Sequence, residues 1–274
     1  NPLKIGDSHN ITVRMSSNPT ISGTPTLALD TDNTPGTAIG SASYASVSTT
    51  DMVFSYTVGA GEFALNPNYL NVNSANPVTL TSAYIRDAAG NNANLDFSTL
   101  STANKLPASL VEVDGVAPTK LTIQSVKTVG DTVRTGYWNE DNTSVKVRIN
   151  LDKNDATLAN GTIQIQAIIS GSYESIGAAA TIVQDSVTLE YQTVEIDNTI
   201  AGGTKGVEEL SNWAQLSTIT FRSIVSDKAG NSTTYDAAST TLIIAENDPA
   251  AFSTDSVLTV TDEVVYGYWN GDNT

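Results

Sequence analysis

The chain has 274 residues, of which 39% are hydrophobic, so it is long enough for about two folded domains and too apolar to be disordered. Its 29 acidic residues outnumber its 13 Lys and Arg, and the net charge of −16 excludes nucleic acid and anionic membranes as partners while favouring divalent cations. The lack of cysteine excludes disulfides and Cys-bound zinc, and no apolar run approaches the roughly 18 residues of a membrane span.

Alternation of apolar and polar residues predicts β-strands along the chain. The runs that alternate most regularly cover residues 11–15, 52–58, 145–151, 162–167 and 219–222. A period of two with β-branched residues indicates one buried and one solvated face, as in an antiparallel sandwich. Turn residues such as Asn160-Gly161 and Gly202-Gly203 separate the runs. Many short strands at this spacing favour an all-β, immunoglobulin-like sandwich.

One segment departs from this pattern. Val207, Leu210 and Trp213 fall at helical spacing across two glutamates. We expect a short helical crossover there, which packs Trp213 onto the edge of the sandwich.

Internal repeats divide the chain. The octapeptide at residues 136–143 returns at 267–274, an offset of 131 residues, with seven of eight positions identical. A second echo joins residues 87–91 to residues 227–231. The expected units are residues 1–116, which lack an opening strand, residues 117–248, which are complete, and residues 249–274, the first strand of a third unit. No signal peptide opens the chain, and we expect Asn1 to lie inside a longer protein.

These segments resemble known repeats. Residues 5–7 leading into the first strand, residues 23–29 and residues 87–91 resemble the bacterial Ig-like repeats of giant adhesins. Residues 136–139, 161–164 and 221–222 are similar to a repeat of large surface proteins in gliding, Bacteroidota-type bacteria. The resemblance implies tandem immunoglobulin-like β-sandwich domains in an extended array, secreted to the bacterial cell surface.

Calcium is the first candidate ligand, because it takes six to eight oxygens from carboxylates, Asn side chains and backbone carbonyls. Asp87, Asn91 and Asp114 could supply them at one junction, facing residues 139–142 of the next repeat. The corresponding residues further along are Asp227, Asn231 and Asp248. Alternatively, these Asp and Gly-Asn residues only form tight turns with Asx hydrogen bonds.

The resemblance bears on this site as well. Related repeats join through an Asp four residues before the linker Pro, and Asp114 with Pro118 fits that pattern. At the second junction Ala245 stands at the Asp position, with Glu246 and Asp248 displaced nearby.

Other candidate sites have simpler explanations. Residues 30–34 resemble the start of an EF-hand loop, but Pro35 and Ser41 stand where Gly and Glu are needed; residues 152–155 fail likewise, with Ile163 at the twelfth position. Both segments are interpreted as solvated loops. Trp138 and Trp269 could form a platform for sugars, but a Trp repeated at the same place in each unit is more typical of packing.

Nothing in the sequence supports catalysis. His9 is the single histidine, in a polar run where we expect it to be exposed, and the acidic residues fall in turns and linkers. The chain is therefore interpreted as a non-enzyme.

Three functions remain open. The first is a stalk or filament segment of a cell-surface adhesin, whose partners are neighbouring repeats of the same or identical chains. The second is a module that binds surface glycans or another cell. The third is a self-polymerising extracellular fibre, in which residues 250–274 complete the first unit of another copy as a donor strand. A simpler reading of the incomplete ends is that the sequence is a window on a longer chain.

Overall fold

The computed structural model of the protein describes residues 1–31, 38–66, 69–72, 76–99, 111–119, 121–183 and 190–246. The predicted third unit, with Asp248 and Trp269, lies outside these residues, as do residues 32–35 of the EF-hand-like loop. Within the described ranges the regular structure is β-strand, apart from two 3-10 helices at Phe97–Thr99 and Ala156–Leu158. The all-β fold class is therefore confirmed. No helix in this part of the chain is long and apolar enough to cross a membrane.

The N-terminal part contains strands β1 to β11. They are β1 (Leu3–Lys4), β2 (Ser8–Arg14), β3 (Thr20–Ser22), β4 (Thr26–Asp30), β5 (Ala38–Ser48), β6 (Asp51–Thr57), β7 (Phe63–Ala64), β8 (Asn71–Val72), β9 (Val78–Thr79), β10 (Tyr84–Arg86) and β11 (Val113–Asp114). The main sheet has the order β2-β6-β5-β4-β8, with β9 also paired to β4, and the smaller sheets are β1-β11-β7 and β10-β3.

The C-terminal part contains strands β12 to β19. They are β12 (Thr122–Gly130), β13 (Tyr137–Trp138), β14 (Asn142–Asn150), β15 (Thr162–Ile168), β16 (Glu174–Thr181), β17 (Tyr191–Asp197), β18 (Thr218–Ser226) and β19 (Ser232–Ile244). They form two sheets, β12-β14-β17 and β13-β19-β18-β15-β16. All pairs are antiparallel except β13 with β19, and the N-terminal part has a matching parallel pair, β1 with β11.

Strands are observed at all five predicted runs. Successive side chains of a strand point to opposite faces, so the alternation of apolar and polar residues becomes an alternation of buried and exposed side chains. In β14, Val145, Val147 and Ile149 are fully buried while Lys146 is exposed between them. β18 buries Ile219, Phe221 and Val225 in the same way.

The helical crossover predicted at residues 207–213 is wrong. The chain passes there through successive turns, and Asn212 and Leu216 have positive φ values of 67° and 66°. A right-handed helix cannot continue through such residues. The packing inferred from the spacing is nevertheless observed, since Val207 and Leu210 are buried and Trp213 lies against the same core.

Two hydrophobic cores form along the chain. One is built from buried residues between positions 11 and 113, the other from residues between 121 and 244. Trp138 is the largest fully buried side chain of the second core, and its indole N–H donates to the Glu208 carboxylate at 3.2 Å. Its ring meets Trp213 edge to face, with centroids 6.2 Å apart.

We expect Trp138→Ala to lower the free energy of unfolding of the C-terminal part by about 3–5 kcal/mol, because a large buried ring is replaced by a cavity. Chemical denaturation followed by circular dichroism measures the loss. Leu216→Ala is the control, because Leu216 is 74% exposed and its truncation should change stability little. Equal effects of the two substitutions would contradict the buried position of Trp138.

Candidate functional site: the junction between the two parts

The turn at residues 227–231 follows β18 and is built on one carboxylate. Asp227 Oδ1 accepts the backbone N–H groups of Gly230 at 2.7 Å and Asn231 at 2.9 Å, and Oδ2 accepts from Asn231 Nδ2 at 2.9 Å. Gly230 has a φ of 99°, a left-handed conformation that residues other than glycine rarely adopt. Asp, Gly and Asn are thus each needed at their positions for local backbone reasons.

The turn at residues 87–91 follows β10 and has the same construction. Asp87 Oδ1 accepts the backbone N–H of Asn91 at 2.8 Å, Oδ2 accepts from Asn91 Nδ2 at 2.8 Å, and Gly90 has a φ of 90°. These hydrogen bonds, above all the one from the Asn91 side chain, lower the pKa of Asp87. The repeated sequence therefore corresponds to a repeated turn structure. In each turn the Asp carboxylate accepts hydrogen bonds from N–H groups of the same turn.

The two turns differ in what surrounds them. Asp87 is half-buried and Asn91 is exposed, whereas Asp227 and Asn231 are buried, at 3% and 5% exposure. Asn231 Oδ1 accepts the backbone N–H of Ile5 at 2.9 Å, and its Nδ2 donates to the carbonyl of Asp114 at 2.7 Å. One side chain of the C-terminal part therefore binds two backbone segments of the N-terminal part.

The linker between the parts is held from both sides. The N–H of Gly115 donates to the carbonyl of Glu62 at 2.6 Å, and the Gly115 carbonyl accepts from Gly61 at 2.7 Å. A Cβ at Gly115 would lie 2.3 Å from the carbonyl oxygen of Gly59, so only glycine fits this approach. On the other side, the Thr233 hydroxyl lies 2.8 Å from the carbonyl of Pro118 and donates to it.

Asp114 occupies the centre of this junction and is 1% exposed. Its Oδ1 accepts the N–H of Val116 at 3.1 Å, while its Oδ2 is buried and has no hydrogen-bond partner among the described residues. Burial raises the pKa of the Asp114 carboxyl to about 6, the Val116 N–H opposes that rise, and the charges of Asp227 and Asp155 add to it. An ionised Asp114 is thus an unfavourable group at neutral pH unless a cation or a proton neutralises it.

The predicted site residues are distributed differently from the sequence expectation. Asp114 lies with Asp227 and Asn231, and the turn of Asp87 and Asn91 follows β10 as a separate, exposed feature. Across the described ranges, no group of three or more Asp, Glu or His side chains is arranged to hold a metal ion.

The loop at residues 139–142, expected to face the metal, uses its side chains internally. The N–H of Asn139 donates to Asn142 Oδ1 at 2.9 Å, and Asn142 Nδ2 donates to the carbonyl of Thr132 at 3.3 Å. The junction residues that sequence reasoning missed include Ile5, Gly115 and Thr233. Ile5 acts through its backbone N–H, which its residue type does not indicate.

The remaining candidates are accounted for by local structure. Asp155 Oδ1 accepts the N–H of Thr157 at 3.0 Å and caps the second 3-10 helix, and Asp152 Oδ1 accepts the N–H of Asn154 at 3.0 Å. Trp138 is buried, so its ring is not available as a platform for sugars. His9 is half-buried in β2, where it shares a face with Ile11, and is not the exposed residue that was expected.

Comparison with protein-family models and with curated proteins gave no match for the chain.

The raised pKa of Asp114 makes stability depend on pH in a defined direction. The pKa of this carboxyl is about 6 in the folded state and about 4 in the unfolded state. The protonated carboxyl therefore stabilises the folded state fully at pH values below about 4, and this contribution is lost as the pH rises through about 6. Asp114→Asn keeps the acceptor for Val116 and removes the charge. In metal-free buffer at about pH 7 the variant should be more stable than the parent by about 1–3 kcal/mol, and the gap should close towards about pH 4.

Denaturant unfolding at a series of pH values measures this difference. Asp87→Asn is the control with the opposite sign, because the pKa of Asp87 is lowered and its charge therefore stabilises the folded state at neutral pH. A destabilised Asp114→Asn variant at neutral pH would show that the ionised carboxylate is required at the junction.

Proposed function

We propose that the chain is a structural spacer: a stalk or filament segment of a bacterial cell-surface adhesin, outside the cell, in which immunoglobulin-like β-sandwich repeats project a distal function. The proposal assigns no enzymatic role. Its mechanism is mechanical, since a spacer works by holding successive repeats in a defined orientation.

The junction supports this proposal most directly. The carboxamide of Asn231 binds the backbone at Ile5 and Asp114, and the linker residues Gly115 and Pro118 are bonded to the parts on either side. A linker with free backbone groups samples many conformations, whereas each of these bonds removes some of that freedom. Such a joint suits a spacer better than a flexible tether.

Strand order supports the immunoglobulin-like assignment. In the C-terminal part, a sheet of three strands and a sheet of five strands contribute to one core. The chain leaves the first sheet after β12 and enters the second as the short strand β13, which is parallel to β19. Two mainly antiparallel sheets that pack over one core are the architecture of such sandwiches.

Binding of surface glycans is the alternative, and the structure gives it less support. Sugar sites use exposed aromatic faces, but Trp138 is buried and Trp213 packs against it. We therefore place the partners of this chain among neighbouring repeats of the same or identical chains.

The orientation of the two parts is directly measurable, because the chain has no cysteine and accepts two introduced ones. Spin labels at Ser46→Cys and Leu216→Cys, both exposed positions, place one label in each part. We expect a single narrow distance distribution by double electron–electron resonance. Asn231→Ala should broaden it and lower stability by about 1–3 kcal/mol, because the buried Asp114 carbonyl and the part-buried Ile5 N–H lose their partner.

Asn91→Ala is the matched control, since Asn91 makes the same bonds within its turn but is exposed. It should leave the distance distribution unchanged. A broad distribution in the parent chain, or equal broadening by both variants, would refute a fixed joint and with it the spacer proposal.

Calcium at the junction is a separate part of the proposal, with Asp114 as its central ligand and Asp227 beside it. A cation would neutralise the buried Oδ2 of Asp114, which has no hydrogen-bond partner in the described part of the chain. Calcium should then raise the melting temperature relative to excess chelator, and Asp114→Asn should abolish the gain. Equal melting temperatures in calcium and chelator would mean that the acidic turns are only turns and that direct packing sets the joint.

A further inference from the structure

The strand β2 has an open edge. It pairs with β6 on one side and stands at the end of its sheet. The N–H of Met15 donates to the carbonyl of Thr50 at 2.8 Å, and the Asp7 carbonyl accepts from Val58 at 3.0 Å. These bonds fix which residues face β6, because residues in an antiparallel pair alternate between the two sides of the strand.

It follows that the odd-numbered residues of β2 direct their backbone groups towards β6. Asn10, Thr12 and Arg14 direct theirs away from it, and none of the described strands pairs with them. A row of unpaired N–H and C=O groups of this kind is a template for another strand.

A groove runs beside this open edge. It is a cavity of about 840 Å³, with β2 on one wall and residues 91–97 on the other. Its lining includes apolar residues of the N-terminal core, among them Ile11, Val13, Leu27 and Ile85. The open hydrogen-bonding edge and an apolar lining therefore occur in one place, as a strand-binding site requires.

In the C-terminal part, a strand occupies the position that corresponds to this groove. There β14 follows β13 as β2 follows β1, and each longer strand starts five residues after the start of the short one. One edge of β14 pairs with β17, and the other pairs with β12, Thr122–Gly130. β12 also packs against β19, the strand that follows the turn at residues 227–231. In the N-terminal part, the segment in the equivalent place is residues 91–97, which follow the turn at residues 87–91. The groove is thus the position that β12 occupies in the other part.

The chain carries a second copy of the β12 sequence. At the offset of 131 residues, residues 256–262 (Ser-Val-Leu-Thr-Val-Thr-Asp) align with residues 125–131 (Ser-Val-Lys-Thr-Val-Gly-Asp), and five of the seven are identical. In β12, Val126 packs against the core and Thr128 is buried, while Lys127 is exposed. Their counterparts are Val257, Thr259 and Leu258, which lie outside the described residues.

We propose that the groove beside β2 binds residues 252–261 of a second copy of this chain as an antiparallel strand. The pairing of β12 with β14 sets the register: Val257 lies opposite Val13, and Thr259 lies opposite Ile11. The donor and acceptor surfaces differ, so the contact is head-to-tail, and chains that join in this way build open filaments or rings. This inference goes beyond the spacer function, because it concerns how copies join and does not depend on the joint at Asn231.

The first test is the mass of the full chain by sedimentation velocity over a range of concentrations. We expect the mass to rise with concentration in whole multiples of one chain. Val257→Asp should abolish the rise, because it places a charge against the apolar lining. Leu258→Asp is the matched control and should leave association unchanged, since its counterpart Lys127 is exposed.

Thr12→Pro tests the acceptor. Proline removes an N–H that faces away from β6, so the ladder between β2 and β6 is kept while the open edge is blocked. A mixture of Thr12→Pro chains, with an intact donor, and Val257→Asp chains, with an intact acceptor, should form a species of two chains and grow no further.

A synthetic peptide of residues 250–262 provides a test without any variant of the chain. In excess it should fill the groove and reduce the parent to single chains, whereas the peptide with Val257→Asp should not. A parent chain that stays single at every concentration would overturn the proposal. So would association that Val257→Asp and Leu258→Asp affect equally, or that the parent peptide does not reduce.

Discussion

The carboxamide of Asn231 is the group on which the arrangement of the two parts depends. Its oxygen accepts from Ile5, and its nitrogen donates both to the Asp114 carbonyl and to the Asp227 carboxylate. The partners fix the orientation of the amide, because an N–H must meet oxygen and a carbonyl must meet nitrogen. Because the Asn231 side chain is buried, its amide is fully bonded only when the turn at residues 227–231, the linker and the turn that follows β1 are all in place.

The turn at residues 87–91 shows which of these hydrogen bonds depend only on the sequence of the turn itself. It repeats the bonds within the turn at residues 227–231, including the left-handed glycine, yet it is exposed and binds no second segment of the chain in the described structure. The Asp and Gly-Asn pattern is therefore sufficient for the turn and insufficient for the joint. The difference lies in Asp114 and Ile5, which meet Asn231 only because the N-terminal part packs there.

The difference between contacts within one segment and contacts between distant segments explains which features could be predicted from the sequence. Alternation along β14 and β18 reports burial of one face, which is a local property, and these strands were predicted correctly. The spacing of Val207 and Leu210 correctly indicated a shared buried side, but the backbone conformation at Asn212 was not encoded in that spacing. Asn231, whose side chain binds the Asp114 carbonyl, is 117 residues from Asp114 along the chain. Their contact is set by the packing of the two parts, so the sequence analysis grouped Asp114 with the turn at residues 87–91 instead.

Comparison of the edge strands β16 and β2 shows that the open edge of β2 differs from an ordinary sheet edge. β16 ends the five-stranded sheet, but the N–H of Gly177 donates to the Lys205 carbonyl at 2.8 Å, so a neighbouring segment covers part of that edge. Proteins commonly protect edge strands by such covering, by bulges or by charge. β2 carries Arg14 near its end, and nothing in the described structure covers its groups at Asn10 and Thr12. With a net charge of −16, chains repel one another at a distance, which disfavours unspecific aggregation and leaves a matched strand as the partner that can compensate for the repulsion.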